Sequence, residues 1–339
     1  MSKKPGVAYK FKMKYLLFVT GMLYASVCFS QKPQSIIFDT DIAPDYDDVG
    51  ALTMLHAFAD KGKVRILATI SSNAFETTVP TLSVLNTYFG KPGIPIGVTR
   101  SANPNKACGQ HWAEEIIQKY PHGISTNEAA WDAVALYRKI LSEQPDSSVT
   151  IISVGFFTNL ANLLDSGPDR YSGKNGKALV SQKVKRLVSM AGKIGADSTG
   201  GYEFNVATDP AASKKVYDQW PTPIVLSGFE IGEQILTGIK LIHNNSIHNS
   251  PVQDAFRIAL TRDGNKLGRN SWDETAVLAA VLGPEPYFST RMLNFDIMPD
   301  GKNVLIPGKR FACLTLARPP AEIAAVIEEL MMHQPANKE

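Results

Sequence analysis

The chain has 339 residues, 44% of them apolar, with 35 Lys+Arg against 32 Asp+Glu and three cysteines. Five of the lysines (Lys3, Lys4, Lys10, Lys12 and Lys14) crowd the start, and without them the balance is 30 against 32. No basic patch with interleaved aromatics argues for nucleic acid, no CxxC argues for a thiolate metal site, and the length suits one large α/β core rather than several small domains.

The first thirty residues read as a secretory signal peptide: a basic start, an apolar run over 15–29, then the polar Ser30-Gln31-Lys32-Pro33. Cleavage is expected after Ser30, leaving residues 31–339 as an exported, periplasmic or secreted domain with no membrane span. The apolar run is shorter than the roughly 20 residues a span requires, and Val27 before Cys28 fits lipoprotein processing poorly. Cys108 and Cys313, far apart in sequence, could pair in an oxidising compartment.

Beyond it, apolar runs bounded by turn residues predict strands over 36–38, 64–70, 94–98, 149–154, 184–190 and 224–226. Helical spacing predicts helices over 47–59, 81–89, 128–141, 158–164, 210–219, 273–282 and 320–332, and the polar stretch 166–177 reads as a loop. Strands alternating with helices imply a single α/β domain with a central, mostly parallel sheet flanked by helices, a Rossmann-like core. The unusual polar residues cluster just after strands: Asp39 and Asp41, Ser71 to Asn73, Gly155 to Asn159, Gly192 and Lys193. In open α/β sheets ligands bind outside the carboxyl ends of the strands, so these segments are expected to meet at one edge.

The segment Asp39-Thr40-Asp41-Ile42-Ala43-Pro44-Asp45-Tyr46-Asp47-Asp48 holds five carboxylates. Helix capping accounts for Asp47 or Asp45, but five acids repel one another unless a cation sits among them. A hard divalent ion wants several carboxylate oxygens. An EF-hand loop is excluded, because Ala43 stands at a ligand position and no Gly-x5-Glu follows. Haloacid dehalogenase-like phosphatases also carry Asp-x-Asp after a first strand, but their following turn and hydroxyl are absent here.

Asp-x-Asp followed by Asp47-Asp48 and Ala51-Leu52 resembles the inosine–uridine-preferring nucleoside hydrolases. Further segments are similar in family order: Ser72-Asn73, Gly155-Phe156-Phe157-Thr158-Asn159-Leu160, Met190-Ala191-Gly192, Glu203-Phe204-Asn205 with Asp209-Pro210, and Trp272-Asp273 with Ala276-Val277. The resemblance covers residue 36 to the end. It implies a calcium-dependent N-ribosyl hydrolase cleaving ribonucleosides to free base and ribose, in a homodimer or homotetramer. It implies Asp41, Asp48, Asp273 and the Thr158 main-chain carbonyl as Ca2+ ligands, with Asp41 also the general base, and Asp47, Asn73, Glu203 and Asn205 on the ribose hydroxyls. Each has a plainer reading: Asp273 as a helix cap, Asn73 as a turn residue, Glu203 as the partner of a surface lysine, Thr158 as a helix start.

Three departures bear on substrate. The acidic loop is two residues longer than the commonest family form, and Asp45 is extra. Asp197 lies where the family often has asparagine, and a carboxylate there could hold a sugar hydroxyl. Trp272 replaces a histidine of purine-cleaving members; indole has no titratable proton near neutrality, and its ring could stack on the base. His111, His122, Trp112, Trp131 and Glu230 are alternative base-side residues. Two other functions stay open: hydrolysis of another ribosylated compound, or a secreted calcium- and sugar-binding relative without turnover.

Overall fold

The computed structural model describes residues 1–4, 32–194 and 200–335. The expected signal peptide falls almost wholly outside the described residues, and Asp197 does so entirely. The chain divides into Met1–Gln31 and the compact unit Lys32–Glu339, and the sheet and helices below belong to the second.

The strands are β1 (Gln34–Thr40), β2 (Val64–Ser71), β3 (Ile96–Val98), β4 (Trp131–Asp132), β5 (Val149–Ser153), β6 (Val184–Met190), β7 (Ile224–Ser227), β8 (Leu236–Thr237), β9 (Arg269–Asn270), β10 (Phe288–Leu293), β11 (Phe295–Ile297), β12 (Asn303–Leu305) and β13 (Phe311–Leu316). Nine of them form one sheet in the order β10-β13-β7-β6-β5-β1-β2-β3-β4, parallel throughout except for β10 on the edge. β8–β9 and β11–β12 are two small antiparallel pairs. The chain builds outward from β1 through β2, β3 and β4, then returns to β1's other side with β5, β6 and β7. That reversal makes the gap beyond β1 and β5 a topological switch point, where helices and loops diverge and leave a crevice.

Residues of β1 alternate between two cores, as a strand covered on both faces requires. Ile36 and Phe38 join one apolar cluster and Ile37 the other. The first is closed by helices Asp47–Asp60, Thr78–Tyr88, Pro251–Arg262, Trp272–Leu282 and Pro320–Met331. The second is closed by Ala133–Glu143, Thr158–Asp165, Gly176–Lys183 and Pro210–Gln219. No described helix is long and apolar enough to cross a membrane.

Some elements differ from expectation. The helix predicted over 128–141 starts at Ala133, because Asp132 caps it by accepting from Ala135 N (2.7 Å). Helices Trp112–Lys119, Gly176–Lys183 and Pro251–Arg262 and strands β10 and β13 were not predicted. Gly176–Lys183 begins inside the stretch read as a loop, with Asn175 accepting from Ala178 N. Cys108 and Cys313 are separate buried thiols, so the considered disulfide is not formed.

Candidate functional site

β1 is carried to its end by hydrogen bonds from both neighbours: Val154 N donates to Asp39 O and Ser72 N to Thr40 O, each at 2.8 Å. Gly155 follows β5 and lies directly against the next turn. A Cβ on it would sit 2.4 Å from Asp41 N and 2.7 Å from Thr40 C, so only glycine lets the two strand ends meet. Ala43, buried in the loop beyond, holds φ at 148°, a costly backbone for a residue with a Cβ and of the kind that collects at binding loops.

The five acids then part company. Asp39 is fully buried and accepts from Tyr137 Oη (2.8 Å) and Asn159 Nδ2 (3.1 Å); burial pushes it up to about 7, against those hydrogen bonds. It braces the sheet and does not line the cavity described below. Asp45, half-buried at the cavity's edge, is paired with Arg269 (2.6 Å). Asp41, Asp47 and Asp48 turn inward and are buried. Asp48 accepts a hydrogen bond from the Thr40 hydroxyl.

Asp273, at the start of helix Trp272–Leu282, comes to the same place from the far end of the chain. Asp47, Asp48 and Asp273 each bring a carboxylate oxygen to within 4.8 Å of the others. Asp41 Oδ2 and Asp48 Oδ2 are buried without a hydrogen-bond partner. Burial first, and then repulsion from neighbouring acids (Asp47 for Asp48 and Asp273, Asp48 for Asp41), raises Asp41, Asp48 and Asp273 well above the usual carboxylate range. Among the described residues lining the cavity, Arg269 is the only cationic side chain. Converging, orphaned carboxylate oxygens with so little counter-charge fit a hard divalent cation. The family resemblance implied Asp41 with Asp48 and Asp273 as the ligands. In the structure Asp47 completes the tightest trio, and Asp41 lines the same cavity beside it.

The cavity has a volume of about 430 Å³ and opens at the carboxyl ends of β1, β5 and β6. Glu203 and Asn205 form part of its wall. Glu203 caps the helix Phe204–Thr208, accepting from Asn205 N (2.8 Å), Gly192 N (3.0 Å) and Val206 N (3.1 Å); it does not pair with a surface lysine. Asn205 Nδ2 donates to Val154 O (3.0 Å) and Met190 O (3.2 Å), tying the ends of β5 and β6 and leaving its amide oxygen outside those bonds, while the residue lines the cavity. Trp272 also lines it, with Nε1 donating to Phe229 O (2.8 Å) and the ring stacked on Phe229 at 5.2 Å.

Two expected site residues stand elsewhere. Asn73 is fully buried, its Nδ2 donating to Asp41 O (3.0 Å) and Lys106 O (2.8 Å), its Oδ1 accepting from Lys106 N and Phe75 N. Its hydrogen-bonding capacity is spent on holding the Asp41 backbone, and it does not line the cavity. The Thr158 hydroxyl donates to Asp209 Oδ2 (2.6 Å) at the start of its helix, and Thr158 is not in the cavity wall either. The alternative base-side residues are absent from that wall too. Trp112 is core, His111 is exposed beside Glu114, His122 bonds Tyr120 O, and Trp131 lines a separate cleft.

Sequence reading missed Arg269 and Glu274. Arg269 lies three residues before the Trp272-Asp273 pair and had no pattern to mark it. Glu274 is fully buried with both carboxylate oxygens unpartnered, against Gly50 of the facing helix. An acid on the buried face of an apolar helix was the available signal.

Comparison with known proteins agrees with this geometry. The family model described as inosine-uridine preferring nucleoside hydrolase matches residues 36–316. The chain belongs to that family. A pyrimidine-specific ribonucleoside hydrolase (RihA) of Salmonella agona is 29% identical over 208 residues, covering 58% of this chain and 60% of the relative. The match thus spans about 60% of the length of that curated relative. The inosine–uridine preferring nucleoside hydrolase of Bacillus anthracis superposes with a TM-score of 0.67 at 17% identity, covering 88% of this chain and 99% of the other. The purine-preferring ribonucleoside hydrolase of Gardnerella vaginalis gives 0.66 at 16%, with the same coverage. At such identities these two likenesses establish the shared nucleoside hydrolase fold.

Proposed function

We propose that this nucleoside hydrolase-family chain cleaves the N-glycosidic bond of ribonucleosides to a free base and ribose, and that it depends on calcium. The observation that carries the reading is the buried carboxylate set of Asp41, Asp47, Asp48 and Asp273, facing Glu203 and Asn205 across one cavity at the switch point. The activity in the name of the Salmonella relative supports it.

Asp41, Asp48 and Asp273 would hold the ion, without the Thr158 carbonyl that the family resemblance implies, since Thr158 does not line the cavity; when bound, the ion would acidify a water and offer coordination sites to ribose hydroxyls. Asp41 accepts the water's proton. Its Oδ2 is buried without a hydrogen-bond partner and so is available for that proton. Asn205 accepts from a ribose hydroxyl through its amide oxygen. Glu203, fixed by three backbone N–H groups, and Asp47, through the oxygen that Arg269 leaves uncovered, do the same. Holding the sugar this way contributes through orientation, and most where contacts tighten as positive charge builds on the ring. Phe229, Trp272 and Phe204 form the apolar wall for the base. The Trp272 N–H is committed to Phe229 O, so the indole packs against the leaving base without protonating it.

The test is free-ribose release from a panel of inosine, uridine, cytidine and adenosine, first with chelator and then with calcium restored. Calcium-restored release supports the reading. If no ribose appears with calcium present while ribose itself binds, the chain is a non-catalytic binding relative. We also propose export, supported by the basic-then-apolar start, which N-terminal sequencing of the exported protein would show as a chain beginning at Gln31.

A further inference from the structure

Arg269 is a lone cation in a wall of carboxylates, and the reaction proposed above gives it no task. It sits on β9, its side chain 16% exposed. Nε and Nη2 both donate to Asp47 Oδ1, at 3.0 and 2.7 Å, and Nη2 also donates to Asp45 Oδ1 at 2.6 Å. The guanidinium carbon lies 4.9 Å from the centre of the Tyr46 ring and 5.0 Å from that of Trp272. One side chain therefore touches the acidic loop, the first residue of the helix that follows it, and the start of the helix that brings Asp273. It also accounts for Asp45, the extra acid of the lengthened loop.

We propose that Arg269 is a positioning residue that divides the acidic cluster, neutralising Asp45 and holding Asp47 by one oxygen so that Asp47 serves the substrate and not the cation. Asp47 needs such a restraint. It already brings an oxygen to within 4.8 Å of Asp48 and Asp273, and a divalent ion there would draw it in as a further ligand. A planar guanidinium meets this geometry with two donor edges, while its faces rest on Tyr46 and Trp272. A lysine ammonium supplies the charge without the fork. The kinetic part of this inference rests on the nucleoside hydrolase reading; the cation part does not.

The test uses the full chain, calorimetric titration with calcium alone, and steady-state kinetics on whichever nucleoside the unmodified protein turns over best. Arg269→Met keeps packing volume between the two rings and removes the charge. Calcium is then expected to bind at least about fivefold tighter, since a positive charge beside a divalent ion is gone and a carboxylate is released. KM is expected to rise at least about tenfold, since Asp47 no longer faces the sugar in a fixed pose. Arg269→Lys should return calcium affinity to within about twofold of the unmodified protein while KM stays raised. Calcium affinity that is unchanged or weaker in Arg269→Met overturns the proposal, because a merely structural role moves it downward along with the melting temperature. So does an unchanged KM. An unmodified protein that turns over no nucleoside defeats the activity reading and leaves the calcium titration to decide on Arg269. An active one whose calcium affinity and KM ignore Arg269→Met defeats the positioning role alone.

Discussion

At the scale of single residues the site is defined by what each acid is bonded to. Asp39 and Asp45 are partnered, by Tyr137 and Asn159 in one case and Arg269 in the other. Asp41 and Asp48 each keep an unpartnered oxygen in a buried position; Asp48 also accepts from the Thr40 hydroxyl, and Asp41 is the one to which the proposed reaction assigns the proton. Asp41→Asn is expected to lower kcat about 10²- to 10⁴-fold, the range of a lost general base, with the melting temperature unchanged or raised. Near-normal ribose release from that variant would remove Asp41 from the role. Trp272→His is a separate probe. The ring belongs to the apolar wall and not to the trio, so the substitution should change the ratio of kcat/KM between uridine and inosine and leave calcium affinity nearly alone. An unaltered ratio would mean that position 272 does not meet the base.

At the scale of elements the decisive feature is how closely the ends of β1 and β5 approach. Gly155 packs on the backbone of Thr40 and Asp41, and backbone atoms cannot swing aside. Gly155→Ala is expected to destabilise the protein by about 1–3 kcal/mol, as overpacking does, and to weaken calcium uptake because the turn carrying Asp41 must move. Urea melts and calcium titration of one preparation check both effects; unaltered values in both would show that the two ends do not bear on each other. Among the helices, Pro251–Arg262 carried readable signals that went unused: Ser250 accepts from Gln253 N, and Pro251 opens the first turn. Helix Trp112–Lys119 is harder, since it starts from His111 in the left-handed region with no capping side chain. β10 is an exposed edge strand, mostly solvent-facing, and its hydrophobic pattern is correspondingly weak.

At the scale of the whole molecule, an acid-rich buried site links stability to pH and to cation. Asp39 is pushed up to about 7, and Asp41, Asp48, Asp273 and Glu274 are also raised, all chiefly by burial. In the absence of a divalent ion the folded protein holds protons that the unfolded chain releases from its ordinary carboxylates at about pH 4. Between that pH and about 7 these acids bind more protons in the folded state, so their contribution to stability falls as pH rises through the window, while His56, lowered to about 3 by burial, contributes in the opposite direction. Calcium acts in the other direction at neutral pH, replacing protons as the source of positive charge. At a hundred times its dissociation constant it should add about 2.7 kcal/mol. Melting temperatures between pH 4.5 and 7.5, with chelator and with calcium, read both effects. A chelated protein whose pH dependence of melting temperature is unaltered by Asp41→Asn would contradict the assignment of that acid as protonated when no cation is bound.

The amino-acid order alone determined the layered α/β architecture, because runs of alternating period state which segments are buried on both faces and which on one. It also placed Asp39, Asp41 and the polar residues after the second, fourth and fifth predicted strands at a single edge, because ligands in open α/β sheets bind there; that Glu203, Asn205 and Asp273 join them was implied by the family resemblance and not by spacing. It did not determine which acid does what. Five carboxylates in one short segment look alike along the chain, and only folding brings Tyr137 and Asn159 to Asp39, Arg269 to Asp45 and Asp47, and Asp273 to Asp48. Those partners are tens to hundreds of residues away, and hydrogen bonding and charge act through distance in space, which sequence spacing does not record.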